Sequence, residues 1–106
     1  GNPRPLFGSK DVKIGNMKLL GKDKNVLKID VREGNEVREG ILFASNCEGF
    51  QNEIEKMGLN FPNLLLSGGE ISADIVYQAK INEWKGNKTV QLIITNFRVR
   101  RGDNNV

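Results

Sequence analysis

The stretch of sequence that decides the fold is INEWKGNKTVQLIITNFRV, residues 81–99. Apolar and polar residues alternate on both sides of Gly86–Asn87, a pair of residues that favours a two-residue β-hairpin turn. With that turn Ile81 lies opposite Leu92, and both strands bury the same face. Trp84 then lies on the outward face beside the turn, where an indole must either be covered or bind a ligand.

A second hairpin is predicted by VLKIDVREGNEVREGILF, residues 26–43, in which apolar residues again alternate with charged ones. A two-residue turn at Gly34–Asn35 would leave Ile41 and Phe43 on the polar face. A loop centred on that asparagine instead pairs Ile29 with Ile41 and makes one face wholly apolar. Because the burial of one face specifies the register of a strand, the sequence predicts the second arrangement.

A short helix is predicted for residues 45–58, with Ser45 or Asn46 as its N-cap and Gly58 as its end. Cys47 lies near the start of this helix. Without a histidine or a second cysteine, a small buried thiol is a better interpretation than a reactive one. The face predicted to pack on the core carries Phe50, Ile54 and Met57.

The remaining strands complete the order β-β-β-α-β-β. The first strand, residues 11–20, is interrupted at Gly15–Asn16, which indicates a bulge. This order is that of the OB-fold, an all-β, five-stranded Greek-key barrel with one short helix between strands 3 and 4. Such barrels commonly bind oligonucleotides on strands 2 and 3 and on the loops that join strands 1–2 and 4–5. The fourth strand, residues 73–84, is predicted to turn inward the side chains of Ile75, Tyr77, Ala79 and Ile81.

Composition limits the function classes. The 106 residues are enough for one domain, and they include no histidine, the commonest general base and metal ligand. We therefore expect no catalysis by this chain and no cofactor in it. No window approaches the roughly 20 apolar residues of a membrane span, and one cysteine without a partner suits the reducing cytoplasm. The expected boundaries are a linker or lead-in over residues 1–10, the barrel over residues 11–101 and a frayed tail over residues 102–106.

The charges divide the chain into two basic segments and one acidic segment. Residues 1–45 carry nine Lys and Arg against six Asp and Glu, residues 46–74 one against five, and residues 75–106 six against two. A barrel can therefore present a basic surface to a polyanion. The predicted register also sets Arg32 opposite Arg38, which is unfavourable unless an anion or the neighbouring Glu side chains neutralise them.

Trp84 supplies the candidate binding site with an aromatic plane. Lys85 and Lys88 flank it, and Asn82 and Gln91 add amides, a composition that suits base stacking and phosphate neutralisation. The alternative is that the indole folds back over the hairpin or docks on a neighbouring domain. The predicted nucleic-acid-binding residues are Lys22, Lys24, Lys28, Arg32, Arg38, Trp84, Lys85, Lys88, Arg98 and Arg100.

Three separated segments resemble one family. GNPRPLF at residues 1–7 resembles the GNPxPxF segment of RecJ-type nucleases, and GKDKNVLKIDV at residues 21–31 resembles their GKDxxHLKL strand. Residues 81–99 resemble their NEWNGxxxVQLxIxDIR hairpin. The chain departs from that pattern at Lys85, where the family has Asn, and at Asn96, where it often has Asp. Both changes make the hairpin more positive.

The resemblance implies the OB domain of a 5′-to-3′ single-stranded-DNA exonuclease of DNA repair and recombination. In that family Mn²⁺ or Mg²⁺ is held by DHH motifs of a separate catalytic core, and this sequence contains no such motif. The implied partners are single-stranded DNA, the catalytic domains of the same parent chain and other repair proteins. The alternative function is a structural or protein-interaction domain that braces the nuclease core or docks a repair partner.

Overall fold

The computed structural model describes residues 5–100, which form five strands and two helices. The strands close into a barrel in the order β1-β2-β3-β5-β4, in which β3 and β5 are parallel and the other neighbours are antiparallel. This mostly β barrel, with helix between its third and fourth strands, confirms the predicted OB-fold. The elements are β1 (Phe7–Leu20), β2 (Val26–Glu33), β3 (Glu36–Phe43), α1 (Ala44–Lys56), α2 (Phe61–Ser67), β4 (Ile71–Trp84) and β5 (Asn87–Arg100).

Helix α1 packs on β5, β3 and β2 and adds Cys47, Phe50 and Ile54 to the core. Its Phe50 ring meets Phe97 of β5 edge-on, with the ring centroids 5.2 Å apart. Cys47 is buried, as predicted. The predicted N-cap is wrong: the helix begins at Ala44, its cap residue makes no side-chain hydrogen bond, and the Asn46 amide instead donates to the Ile94 carbonyl at 3.5 Å. The start of α1 is thus fixed by strand contacts rather than by a cap.

Helix α2 is an addition to the predicted order β-β-β-α-β-β, which has one helix. The Asn60 side chain caps it by accepting a hydrogen bond from the Asn63 backbone N–H at 2.9 Å. Pro62 lies in its first turn, and Gly68 ends it in the left-handed conformation with φ 70°. These signals are in the sequence, but seven residues are too few to show a helical period. Neither helix within residues 5–100 is long and apolar enough to cross a membrane.

Strand β1 begins earlier than predicted. Phe7 already pairs with Tyr77 of β4, so the end of the expected lead-in belongs to the barrel. The predicted bulge is confirmed by a register shift between Gly15 and Lys18, and a second shift lies between Ser9 and Val12. The first four residues of the expected linker and the expected frayed tail lie outside the described residues.

The predicted register of the β2–β3 hairpin is wrong. Leu27 lies opposite Leu42 and Ile29 opposite Gly40, which is the register of the two-residue turn. The reason is the space inside the barrel. A Cβ atom on Gly40 would lie 3.0 Å from Ile29 and 3.1 Å from Ile94, so this inward position of β3 accepts a glycine where the sequence analysis expected a large apolar side chain.

The corrected register changes what the outer surface carries. Ile41 and Phe43 point away from the core, Ile41 half-buried and Phe43 exposed. Arg38 lies opposite Val31 rather than opposite Arg32, so the two arginines are on different sides of the sheet. The unfavourable arginine pair predicted from the sequence therefore does not form.

The β4–β5 hairpin is displaced by two residues from its predicted register. Its turn is Lys85–Gly86, and Ile81 lies opposite Val90 instead of Leu92. Lys85 has φ 49° and Gly86 has φ 82°, the pair of positive angles that a type I′ turn requires. Gly86 is therefore the second residue of the turn, whereas the sequence predicts it as the first.

The end of this hairpin extends beyond the barrel. Strand β1 begins opposite Tyr77, so β4 has no β1 partner past that residue among the described residues. Ile75 and Tyr77 are buried as predicted, but Ala79 and Ile81 are exposed, and Ile81 pairs with the exposed Val90 rather than with a core residue. We call residues 79–91 the projecting hairpin.

Candidate nucleic-acid interface

The solvent side of the end of β1, of β2, of β3 and of the first half of β5 forms one continuous surface, which we call the outer face. Its strands are held in register by the pairs Glu39 with Gln91 and Ile41 with Ile93. The surface continues onto the projecting hairpin, because side chains alternate along β4 and β5 without interruption there. The β4 residues on this side are Lys80, Asn82 and Trp84, which lie opposite Gln91, Thr89 and Asn87.

Trp84 has the outward position that the sequence predicts, and its side chain is 72% exposed. It lies directly opposite Asn87, and Thr89 is on the same side of the hairpin two residue pairs further along. The Lys85 Nζ atom is 5.7 Å from the centre of the indole ring. Most of the indole surface is therefore exposed, and the ammonium that lies over the ring is a cation that can attract phosphate.

Four of the predicted cations form no ion pair with any residue that the structure describes. They are at the two loops that OB-folds commonly use for oligonucleotides: Lys22 and Lys24 in the β1–β2 loop, Lys85 and Lys88 in the β4–β5 hairpin. Lys88 lies opposite Glu83, on the side of the hairpin away from Trp84.

The other predicted cations are each paired with a carboxylate. On the outer face, Lys28 is 3.5 Å from Glu39, and Arg32 donates to both oxygens of Glu70 at 2.7 and 2.8 Å. Surface pairs of this kind contribute about 0–1 kcal/mol, so a phosphate can compete for the same cations. Arg38 pairs with Glu36 at 3.0 Å and lies at the mouth of the barrel.

Arg98 and Arg100 lie on a different wall, formed by β1, β4 and the last part of β5. Both donate to Asp74, with shortest contacts of 2.7 and 2.6 Å, and the Asp11 backbone N–H adds a third hydrogen bond at 2.8 Å. These donors, Arg100 first and then Arg98, hold the pKa of Asp74 well below its usual range. The two arginines are therefore held by an internal partner and are not brought to the outer face.

The two lysine-bearing loops lie at opposite ends of β3. Val26, which follows the β1–β2 loop, pairs with Phe43 at the end of β3. Strand β5 runs parallel to β3, so its start, next to the hairpin turn, lies beside the start of β3. At about 3.3 Å per residue, eight residues of β3 separate the two loops by roughly 26 Å. The candidate interface thus has two cationic ends rather than one basic patch.

Sequence reasoning missed two residues of this surface, Phe43 and Lys18. The first was assigned to the core because of the wrong hairpin register, and the second was overlooked on β1. Gly40 is the signal that could have placed Phe43 outward, because a glycine in the middle of a β-strand indicates a close approach.

In a comparison with protein families, residues 1–96 match the RecJ OB domain. The match includes the first two of the three motifs and most of the third. No curated protein matches the chain. An OB domain is not itself catalytic, and within residues 5–100 no cluster of three or more Cys, Asp or Glu side chains could hold a metal ion.

Proposed function

Because the chain belongs to the RecJ OB domain family, we propose that it is the single-stranded-DNA-binding module of a RecJ-like 5′-to-3′ exonuclease of DNA repair and recombination. In this proposal the catalytic core is another part of the same parent chain, holds Mn²⁺ or Mg²⁺ and cleaves the phosphodiester bond in the cytoplasm. The role of this domain is to hold the strand, without cleaving it.

The observation that carries the proposal is the exposed indole of Trp84 on the projecting hairpin. It is 72% exposed, has the Lys85 ammonium beside it and lies on a surface continuous with the outer face. Stacking of a base on an aromatic ring contributes about 1–3 kcal/mol and tolerates any sequence. This arrangement suits a module that must hold a strand regardless of its bases.

The test is a titration of the chain with oligo-dT, followed by the fluorescence of Trp84, which is its one tryptophan. We expect quenching that weakens as salt rises, because phosphate contacts release counterions. The variant K85E/K88E should lose most of this response. The control variant K10E/K56E makes the same change of net charge at exposed sites away from the hairpin and should keep it. Equal losses in both variants, or no quenching at low salt, would contradict the proposal.

One observation favours the alternative, a domain that braces the nuclease core. On the side of the projecting hairpin away from Trp84, Ile81 and Val90 form a cross-strand pair that is 66% and 45% exposed. A protein partner could bury this pair, whereas DNA gains little from it. If bracing is the function, Trp84 emission should respond to the separately purified catalytic domains and not to oligo-dT. Substitution of Ile81 with Ser should then weaken that response.

A further inference from the structure

Three apolar residues form a row across three strands at the β1–β2 loop end of the outer face. Leu20 of β1 lies opposite Val26 of β2, and Val26 lies opposite Phe43 of β3. Leu20 is 41% exposed and Phe43 is 46% exposed. An aromatic ring is therefore presented to solvent on a flat apolar base, at the opposite end of β3 from Trp84.

The next row of side chains is cationic. Lys18 lies directly opposite Lys28, and like charges directly opposite in a sheet repel each other. Glu39 reaches Lys28 at 3.5 Å, whereas Lys18 forms no ion pair with the described residues. An anion between the two ammonium groups would relieve the repulsion. The β1–β2 loop adds Lys22 and Lys24 beyond the apolar row.

The backbone around the Phe43 ring is fixed by contacts with the β1–β2 loop and with β2. The Ala44 N–H donates to the Asn25 carbonyl at 2.8 Å, which ties the end of β3 to the end of the β1–β2 loop. Phe43 itself pairs with Val26 and is the N-cap residue of α1. A ring on such a support loses little freedom when a planar ligand covers it.

We propose that Phe43 is a second base-stacking platform, and that Lys18 and Lys28 bind the phosphate next to the stacked base. The cations around the ring favour a nucleotide over an apolar protein segment as the occupant, because charge complementarity is with an anion. This inference rests on the proposed DNA-binding function and extends it to a second site.

The positions of the two rings set the length of strand that reaches both. Ile41 of β3 pairs with Ile93 of β5, and the two strands are parallel. From this pair, Phe43 is two residues forward along β3, and Asn87, which lies opposite Trp84, is six residues backward along β5. Eight residues at about 3.3 Å place the rings roughly 26 Å apart along the strands. At about 3.4 Å per stacked nucleotide, that distance corresponds to about eight nucleotides.

The experiment moves the single tryptophan to the second platform. In the double variant W84F/F43W, the only indole is at position 43, and we expect salt-sensitive quenching by oligo-dT of about twelve nucleotides. The control W84F/L66W has its indole on α2, at a leucine that is 88% exposed, and should not be quenched. In the wild-type background, K18Q should lower the affinity for the same oligonucleotide and the steepness of its salt dependence.

The outcomes separate the two proposals. If Trp84 of the wild-type chain is quenched but the indole at position 43 is not, the second platform is wrong and the DNA-binding function stands. If neither indole responds at low salt, both proposals fail. An indole at position 43 that responds to the catalytic domains alone would also overturn the platform, because it would make this end of the outer face a protein contact.

Discussion

Gly40 shows how one residue without a side chain fixes the register of a hairpin. The space that its Cβ would need is taken by Ile29, Ile94 and Val31, at 3.0–3.1 Å. With Gly40 and Leu42 facing the core, Ile41 and Phe43 face out, because side chains alternate along the strand. The outward ring of Phe43 is therefore a consequence of packing three residues away in the same strand.

Gly40→Ala should lower the free energy of unfolding by about 1–3 kcal/mol, because an extra methyl group in a filled core forces neighbouring side chains to shift. Urea denaturation measures this. Gly49→Ala in α1 is the matched control. Its Cβ would lie 3.4 Å from Phe97, an ordinary contact, and alanine favours the helix by up to about 1 kcal/mol. Equal stability of the two variants would contradict the assigned register.

Asp74 makes stability depend on pH at the acid end. Its pKa is lowered in the folded chain by Arg100, then Arg98, so its contribution to stability is present above the ordinary carboxyl pKa of about 3.9 and is lost as pH falls through lower values. Asp74→Asn should therefore reduce stability at neutral pH and flatten the loss between about pH 5 and pH 2. Arg100→Gln removes the strongest donor and keeps the carboxylate. The dependence of its stability on pH should therefore lie between those of Asp74→Asn and the wild type. Parallel pH curves for all three would refute the assignment.

At the scale of elements, the projecting hairpin combines a strained turn with the proposed contact to DNA. Lys85 adopts φ 49°, an angle that asparagine and glycine accept more readily than lysine does. The residue that supplies the cation beside Trp84 is thus poorly suited to its own backbone conformation. Compared with asparagine, lysine at this position makes the turn less stable and the hairpin more positive.

Lys85→Asn should therefore have opposite effects on stability and on binding. We expect slower amide hydrogen exchange across residues 79–91, and weaker, less salt-sensitive binding of oligo-dT. Gly86→Ala is the control for the turn, because φ 82° is costly for alanine and exchange should become faster. If Lys85→Asn speeds exchange, the turn is not of type I′.

The sequence predicts a feature well when the spacing of apolar residues determines it, and poorly when the space available between packed strands determines it. Alternation is enough to predict the five strands, helical spacing predicts the apolar face of α1, and the Gly15–Asn16 interruption predicts the bulge. Registers depend on what fits between strands, so both hairpin registers were missed. The pairing of Arg98 with Asp74 depends on contacts between segments distant in sequence, and no local pattern contains it. The outward position of Trp84 survived the register error because a shift of two residues keeps each side chain on its side.

For the whole molecule, the distribution of cations predicts how binding responds to salt. Several Lys side chains at the two ends of the outer face are available to phosphate. Arg98 and Arg100 are held by Asp74 on another wall. If about four phosphates are neutralised, the slope of log K against log salt is about −3 for a single strand. The double variant K22E/K24E should make this slope less negative, whereas Arg98→Gln should leave it unchanged. A large effect of Arg98→Gln would place the strand on the other wall.

The barrel is closed by a short seam. Strands β3 and β5 pair through three residue pairs, from Glu39 with Gln91 to Ile41 with Ile93, and the partners are 52 residues apart in the chain. The two hairpins can form from neighbouring residues, but this seam and the β1–β4 pairing, in which Phe7 lies 70 residues from Tyr77, join distant parts of the chain. Closing such long loops costs entropy before any contact repays it, so we expect these two pairings to limit the rate of folding. Until β4 and β5 are made, the sheet of β1, β2 and β3 in a nascent chain has two unpaired edges.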